Sequence, residues 1–182
     1  MPRLLVVPLV VLFIAGVVHA AVGGETKHTV DSPRWTDEYD RYFRKYSKRY
    51  FKAQGIAESA LNPESESHVG AKGVMQIMPA TFGDIQRSNP HFTSIDEPRW
   101  NIAAGIWYNR SLFKAWQKRV PQSGDRLNFT FASYNAGLGT IQKAWKRAGG
   151  PDRERLPWQD VAPKSPRETQ AYVRRITELM GR

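Results

Sequence analysis

Apolar residues recur at helical spacing along most of this chain, and proline and glycine interrupt them. The first stripe is aromatic and runs from Trp35 to about Tyr50, with lysine and arginine on the opposite face. Apolar spacing continues as far as Leu61 and is broken only at Gly55, so it predicts helix without locating a junction between two helices. Pro63 disfavours the α conformation at the residue before it, so the second helix should end near Leu61.

Prolines and capping residues predict where the central helices begin. Residues 62–78 are rich in serine and glycine and predict a loop with short strands. A short helix should follow, with Pro79 at its first position and its end near Gln86. Asp96 is the predicted N-cap of a long central helix that has Pro98 just inside it. Pro121 should stop that helix.

Prolines and capping residues also predict the helix boundaries in the last part of the chain. One helix should begin at Ser123 or Asp125 and end at residues 134–137, and another should span Thr140 to Arg147. Residues 151–164 predict a loop. Ser165 and Glu168 have the spacing of a capping box for the final helix, with a proline between them at the first helical position. The whole pattern predicts a mainly α fold with minor β structure.

The first twenty residues have the organisation of a secretory signal peptide. Arg3 supplies a positive start, an apolar run follows from Leu4 to Val18, and small residues come next. We expect cleavage after Ala20, and an uncleaved membrane anchor is the alternative. The predicted organisation is therefore a signal peptide at 1–20, a flexible leader at 21–34 and one domain at 35–182, exported to the periplasm or cell envelope.

Charge and cysteine usage narrow the class of partner. The chain has no cysteine, so an exported domain must fold without disulfides. Its formal net charge is +10 and becomes +9 when the signal peptide, which contains one base and no acid, is removed. A basic exported domain meets anionic cell wall or lipid headgroups, whereas nucleic acid is a less natural partner outside the cytoplasm.

Glu58 is the strongest candidate for chemistry in the sequence. It falls in the last turn of the predicted second helix, where the helix dipole disfavours a carboxylate. Burial against apolar neighbours would raise its pKa further, because burial disfavours the charged form. A carboxyl group that is still protonated near neutral pH can act as a general acid. The plain alternative is a surface glutamate of an ordinary helix.

Four short motifs together resemble one known family. They are Glu58-Ser59, the run from Gly73 to Pro79 (GVMQIMP), the run from Ala132 to Gly137 (ASYNAG), and Glu168-Thr169 followed by Tyr172-Val173. In this order they resemble the catalytic domain of the soluble lytic transglycosylases, over about residues 36–178. The resemblance implies a lysozyme-like single domain. Two departures are Val74, where leucine is usual, and the lack of a connector between Tyr50 and Phe51.

The resemblance also implies a reaction. Enzymes of this family cleave the β-1,4 bond between N-acetylmuramic acid and N-acetylglucosamine in peptidoglycan and leave a 1,6-anhydro end. Glu58 would be the single acid and base of this reaction, without cofactor or metal. The histidines at positions 19, 28, 68 and 91 are scattered and match no metal spacing. The other residues that would contact substrate are Ser59, Met75, Gln76, Tyr134, Asn135, Glu168 and Tyr172.

Several of these residues have simpler explanations. Met75 could be plain core, Tyr134 a core tyrosine with a satisfied hydroxyl, and Glu168 only the second half of a capping box. By resemblance, Tyr134 would position the N-acetyl group or bond to Glu58. Glu64 and Glu66 lie in a polar loop and are interpreted as solvated rather than catalytic.

Three other functions stay open at this point. A lysozyme-type hydrolase would make the same cut with water as acceptor. A wall-binding protein could keep the fold without activity, although the intact Glu58 argues against it. A basic nucleic-acid binder is disfavoured by the export signal and by the lack of a recognised motif. We expect a monomer that acts on peptidoglycan strands, does not bind nucleic acid, and could contact membrane or wall through its basic surface.

Overall fold

Helices make up most of the residues that the computed structural model describes, which are 29–44, 47–153 and 155–181. These ranges contain eight α-helices and two 3₁₀ turns, Gly150–Asp152 and Ala162–Lys164. The α-helices are α1 (Asp40–Arg44), α2 (Lys48–Ser59), α3 (Pro79–Ser88), α4 (Pro98–Trp116), α5 (Ser123–Ala136), α6 (Leu138–Arg147), α7 (Trp158–Val161) and α8 (Arg167–Leu179).

The core lies where α2, α5 and α8 pack together and where α4 packs on α5. Large aromatic side chains fill it, and the indole of Trp116 on α4 donates a hydrogen bond of 2.8 Å to the hydroxyl of Ser133 on α5. The fully buried aromatic residues are Phe43, Trp116, Phe129, Phe131, Tyr134 and Tyr172. Each of these side chains removes a large apolar area from water, which suits a cysteine-free domain.

Residues 62–78 contain the β structure of the described chain. Two isolated antiparallel bridges, Glu66 with Lys72 and Lys72 with Ile77, fold this segment back on itself. Asn101 on α4 fixes it, because its side-chain oxygen accepts the Met75 N–H at 2.8 Å and its amide nitrogen donates to the Lys72 carbonyl at 2.8 Å. The prediction of a mainly α fold with minor β structure is therefore confirmed.

Close approach between this segment and α4 requires a glycine. A Cβ built on Gly105 would lie 2.8 Å from the Cβ of Met75, which is closer than two side chains can pack. The segment and α4 are therefore held together both by Asn101 and by the missing side chain at Gly105. This contact sets the position of Met75 relative to the core.

Most predicted helix starts agree with the structure, and the aromatic stripe shows the main difference. Pro79 and Pro98 each open a helix, and α5 begins at Ser123. The stripe from Trp35 to Tyr50 is not one helix, since residues 35–39 precede α1, α1 spans Asp40–Arg44 and α2 begins at Lys48. The departure noted between Tyr50 and Phe51 thus lies inside α2.

Two predicted caps are wrong. Glu97, not Asp96, precedes α4, and Asp96 instead forms a 3.1 Å ion pair with Lys72. No side-chain cap is present at α8, and the Ser165 hydroxyl donates at 2.6 Å to the Ala162 carbonyl, which also accepts the Ser165 N–H. Pro166 occupies the N-cap position, so Ser165 lies one residue too early to cap α8, and its hydroxyl closes on the preceding 3₁₀ turn instead.

Two further predictions concern ends of elements. The central helix stops at Trp116, before the predicted proline, and Pro166 precedes α8 rather than forming its first residue. The predicted signal peptide lies outside the described residues, as does the leader up to residue 28. Val30, which falls in the predicted leader, is buried and donates its N–H to the Leu179 carbonyl at 3.0 Å. Among the described helices, none is long and apolar enough to cross a membrane.

Candidate active site

Glu58 lies in the last turn of α2, where the chain leaves the helix through two left-handed residues. Ala60 has φ 55° and Leu61 has φ 66°, and their N–H groups return to the carbonyls of Ile56 and Gly55. Two consecutive non-glycine residues in this region are unfavourable unless the surroundings hold them there. The turn sends the chain directly into the segment 62–78.

The Glu58 carboxyl group has one hydrogen-bond partner and no ion pair in the part of the chain that is described. Its Oε1 accepts the hydroxyl of Tyr172 from α8, and its Oε2 is buried without a hydrogen-bond partner. Burial raises the pKa of Glu58 to about 8, while the Tyr172 hydrogen bond and the charge of Arg175 act in the opposite direction. A glutamate in this setting keeps its proton at neutral pH.

A chain of buried amides determines which way the Tyr172 hydroxyl points. Gln54, one turn before Glu58 on α2, donates to the Tyr172 oxygen at 3.0 Å. Asn109 on α4 donates in turn to the Gln54 carbonyl oxygen at 2.8 Å. Because the tyrosine oxygen already accepts from Gln54, its own proton is directed to Glu58. Burial raises the pKa of Tyr172 well above its ordinary value, with further contributions from Glu58, so the hydroxyl stays a donor.

Sequence reasoning missed Gln54 and Asn109. Gln54 is fully buried and Asn109 is almost so. The available indication was a polar amide four residues before Glu58, on the same face of a helix whose other buried positions are mainly apolar. Its partner on α4 is 55 residues further along and has no counterpart in local spacing.

Ser59 and Gln76 tie the end of α2 to the folded segment. The Ser59 hydroxyl donates to the Val74 carbonyl at 3.0 Å. Gln76 has φ 45°, and its side-chain nitrogen donates to the carbonyls of Ser65 at 2.9 Å and Gly73 at 3.0 Å. Both amide hydrogens of Gln76 are thus used inside the segment, and its side-chain oxygen is left as the group that can accept a hydrogen bond.

Tyr134 on α5 supports the folded segment at Met75. Both side chains are fully buried, and the Tyr134 hydroxyl donates to the Met75 carbonyl at 2.7 Å. Tyr134 therefore hydrogen-bonds Met75 rather than Glu58, and the tyrosine on the acid is Tyr172. Burial raises the pKa of Tyr134 well above its usual range, with the Glu58 charge as the next cause, which indicates that the two groups are near each other.

Asn135 and Glu168 differ in their surroundings. Asn135 is buried at the end of α5, and its side-chain oxygen accepts the Thr169 hydroxyl at 2.7 Å, whereas its amide nitrogen has no hydrogen-bond partner in the described ranges. Glu168 is exposed on the first turn of α8, and its neighbour Thr169 makes the inward contact. The structure thus joins Glu58 to Tyr172, and Ser59 and Tyr134 to the adjacent carbonyls of the folded segment. Glu168 takes part in none of these hydrogen bonds. Across the described residues, no cluster of three potential ligands for a metal ion occurs.

Comparison with known proteins gives a consistent family. Residues 42–156 match the model of the transglycosylase SLT domain. The chain is 32% identical over 149 residues to a soluble lytic murein transglycosylase of Salmonella typhimurium, covering 78% of this chain and 22% of that protein. It is 29% identical over 138 residues to a membrane-bound lytic murein transglycosylase F of Vibrio vulnificus, covering 74% of this chain and 24% of the relative.

Solved structures show the same likeness. The 70 kDa soluble lytic transglycosylase of Escherichia coli superposes with a TM-score of 0.67 at 28% identity, over 81% of this chain and 24% of that one. A complex of the 70 kDa soluble lytic transglycosylase with bulgecin A gives a TM-score of 0.64 at the same identity, over 77% of this chain and 23% of that one. The expected lysozyme-like fold is thereby confirmed. The chain spans about a quarter of the length of these relatives.

Proposed function

Because the chain belongs to the transglycosylase SLT domain family, we propose that it is a peptidoglycan lytic transglycosylase with Glu58 as its single acid and base. The substrate is the β-1,4 bond between N-acetylmuramic acid and N-acetylglucosamine, and the product carries a 1,6-anhydro end. The setting that agrees with the predicted signal peptide is the cell envelope. The observation that carries the proposal is the Glu58 carboxyl group, held by Tyr172 with a pKa of about 8.

The first step is proton donation. A carboxylic acid with a pKa near 8 is protonated at neutral pH and close enough to that pH to release its proton readily. Glu58 donates this proton to the glycosidic oxygen as the bond from C1 to that oxygen breaks. The Tyr172 hydrogen bond then stabilises the carboxylate that forms, because hydrogen bonds to an ionised acceptor are stronger than those to a neutral one.

The second step needs no second carboxyl group from the protein. Most glycosidases use two carboxyl groups. The groups that affect the pKa of Glu58 are Tyr172 and Arg175, and no other carboxyl group of the described chain is among them. The N-acetyl carbonyl of the sugar stabilises the cationic centre at C1. Glu58, now a carboxylate, accepts the proton of the C6 hydroxyl while the C6 oxygen bonds to C1. The acid is thereby restored, and no water is consumed.

Product analysis on purified sacculi tests both parts of the proposal. Wild-type protein should release muropeptides with anhydro ends, which mass spectrometry separates from reducing ends by the mass of one water. Glu58→Gln should fold and bind murein but lower the cleavage rate by about 10³-fold, in the range usual for loss of a general acid. The matched control is Glu66→Gln, because Glu66 is an exposed carboxyl group in the neighbouring segment. That variant should keep wild-type turnover.

Two outcomes would contradict the proposal. Reducing ends from the wild-type protein would identify a lysozyme-type hydrolase on the same fold. Wild-type turnover by Glu58→Gln would remove Glu58 from the reaction.

A further inference from the structure

A large groove lies at the other end of α2 from Glu58. Its volume is about 1180 Å³, and the described residues that line it include Tyr50 and Phe51 from the first turn of α2 and Trp107 from α4. Glu58, Ser59, Gln76, Tyr134 and Tyr172 are not among them. Phe51 and Glu58 are seven residues apart on one helix, which separates them by about 10 Å along its axis. The groove therefore has its own lining and, within the described chain, meets the Glu58 site only at Asn109, the far end of the amide chain that reaches Tyr172 through Gln54.

Half-buried aromatic side chains are concentrated in this groove. Seven aromatic residues of the described chain are neither buried nor fully exposed, and six of them line it. These six are Tyr42, Tyr50, Phe51, Trp100, Trp107 and Phe113. Most of the other aromatic residues in the described ranges lie in the core, as their large apolar area favours. A cluster of partly exposed rings in a concave surface is the usual sign of a binding site.

The charges around the groove have one sign. Arg41, Arg99, Arg110 and Lys114 line it, and none of the described residues that line it is acidic. Arg99 lies 4.5 Å above the ring of Trp100 and pairs with Glu97 outside the groove, so the basic groups and the rings form one surface. An anionic ligand with apolar faces is complementary to this combination.

The floor of the groove contains an unused acceptor. Asn109 lines the groove, is 2% exposed, and has a side-chain oxygen without a hydrogen-bond partner in the described ranges. Its amide nitrogen already donates hydrogen bonds to the side-chain oxygen of Gln54 and to the carbonyl of Gly105.

We propose that this groove is a second, non-catalytic binding surface for peptidoglycan, occupied by a strand segment that carries acidic peptide stems. The inference rests on the proposed function, which supplies the polymer. The C–H faces of the sugars would pack on the exposed rings, and the peptide carboxylates would pair with the arginine and lysine side chains. Attachment at two points on one polymer raises the effective concentration of the scissile bond near Glu58.

Binding is measured without cleavage. Glu58→Gln protein is mixed with purified sacculi and sedimented at several salt concentrations. Adding Trp107→Ala should weaken binding roughly tenfold, as expected for loss of an aromatic anchor. Adding Lys114→Glu, which changes an exposed side chain and preserves packing, should weaken binding most at low salt. The matched control is Lys143→Glu, the same charge change at an exposed position of α6 that does not line the groove.

Catalysis by otherwise wild-type protein supplies the second readout. The two groove substitutions should slow digestion of intact sacculi and leave the rate on a short soluble glycan fragment within about twofold, because a short fragment cannot reach both surfaces. An equal loss on the short fragment would overturn the inference by making the groove part of the catalytic site. Unchanged sedimentation of Lys114→Glu and Trp107→Ala would also overturn it.

Competing ligands complete the test. Anionic phospholipid vesicles and single-stranded DNA are assayed with the same variants, since aromatic and basic surfaces also suit them. Loss of binding to either one, with murein binding unchanged, overturns the proposal. Failure of this inference is distinguishable from failure of the proposed function, because missing anhydro ends are seen in product analysis and leave the sedimentation result intact.

Discussion

Two carboxyl groups at opposite ends of α2 behave in opposite ways. Asp40 precedes the helix, is buried, and lies 2.8 Å from the ammonium group of Lys48 and 2.7 Å from that of Lys52. Burial alone would raise the pKa of Asp40, but the two lysines lower it below its ordinary value. Glu58 lies in the last turn of α2 with a tyrosine hydroxyl as its partner, and burial raises its pKa to about 8.

The comparison shows that burial does not decide the charge of a carboxyl group by itself. A buried carboxylate needs a nearby cation or several donors, and without them the neutral acid is favoured. Lys48 and Lys52 are one turn apart on α2 and face Asp40 together, so that end of the helix holds a permanent charge cluster. The other end keeps a proton available. Substitutions that remove these partners test whether they determine the charge of each carboxyl group.

The largest effect on stability is expected from Lys52→Met. This change removes a 3% exposed partner and leaves Asp40 with only Lys48. Breaking a buried ion pair on one side costs about 3 kcal/mol, because the remaining charge is left without compensation. Urea denaturation measures the loss. Lys48→Met is the control with a smaller expected effect, since a third of that side chain is exposed. Equal urea midpoints for wild type and Lys52→Met would contradict the structural role of the cluster.

A pH-dependent effect of Glu58→Gln on stability should come next. The folded protein holds the Glu58 proton up to a pH of about 8, whereas the unfolded chain releases it near the ordinary value of 4.5. Unfolding therefore releases a proton between these values, and wild-type stability falls as the pH rises through this window. Below about 4.5 the contribution is fully present, and above about 8 it is lost.

The glutamine variant lacks this titration and should gain relative stability across the same window. One pKa unit corresponds to about 1.4 kcal/mol. Because Glu58 keeps part of its surface in water, we expect a difference of about 2 kcal/mol at the upper end rather than the full shift. Denaturation of both proteins at several pH values checks this. A difference that does not change with pH would show that the Glu58 pKa is ordinary.

Tyr172→Phe should lower kcat/KM about tenfold, a typical result of losing one hydrogen bond to a charged group. The hydroxyl donates to Glu58 and favours the ionised form, so its removal should raise the pKa of Glu58 further. Activity that requires protonated Glu58 declines above a pH of about 8 in the wild type. In the variant this basic limb should move to higher pH. A pH profile of kcat/KM with an unmoved limb would mean that Tyr172 does not act on the acid.

The sequence predicted the helix boundaries that prolines restrict locally. Pro63 located the end of α2 within two residues, and Pro79 and Pro98 located the starts of α3 and α4. These residues restrict the backbone at their own positions, so no distant contact can easily override them. The capping box at Ser165 was wrong because α8 begins one residue later than predicted, which leaves Pro166 at the N-cap position.

The contacts around the acid could not be read from local spacing. Gln54, Asn109 and Tyr172 come from three helices, and their hydrogen bonds span 55 and 118 residues of chain. The motif resemblance named both Tyr134 and Tyr172, and it gave a contact with Glu58 only to Tyr134, as one of two alternative roles. Only the packing of α8 on α2 determines which of these two hydroxyls reaches the carboxyl group.

Tyr134→Phe is the matched counterpart of Tyr172→Phe and should have the smallest effect. Both tyrosines are buried and close to Glu58, but the Tyr134 hydroxyl donates to the Met75 carbonyl instead of the carboxyl group. Its loss leaves that carbonyl without this donor, which should cost about 1 kcal/mol of stability and reduce the rate only a few-fold. The basic limb of the pH profile should stay where it is in the wild type. If the limb moved as far as in Tyr172→Phe, both hydroxyls would affect the pKa of Glu58. The proton on Glu58 would then depend on the contact between Tyr134 and Met75 as well as on α8.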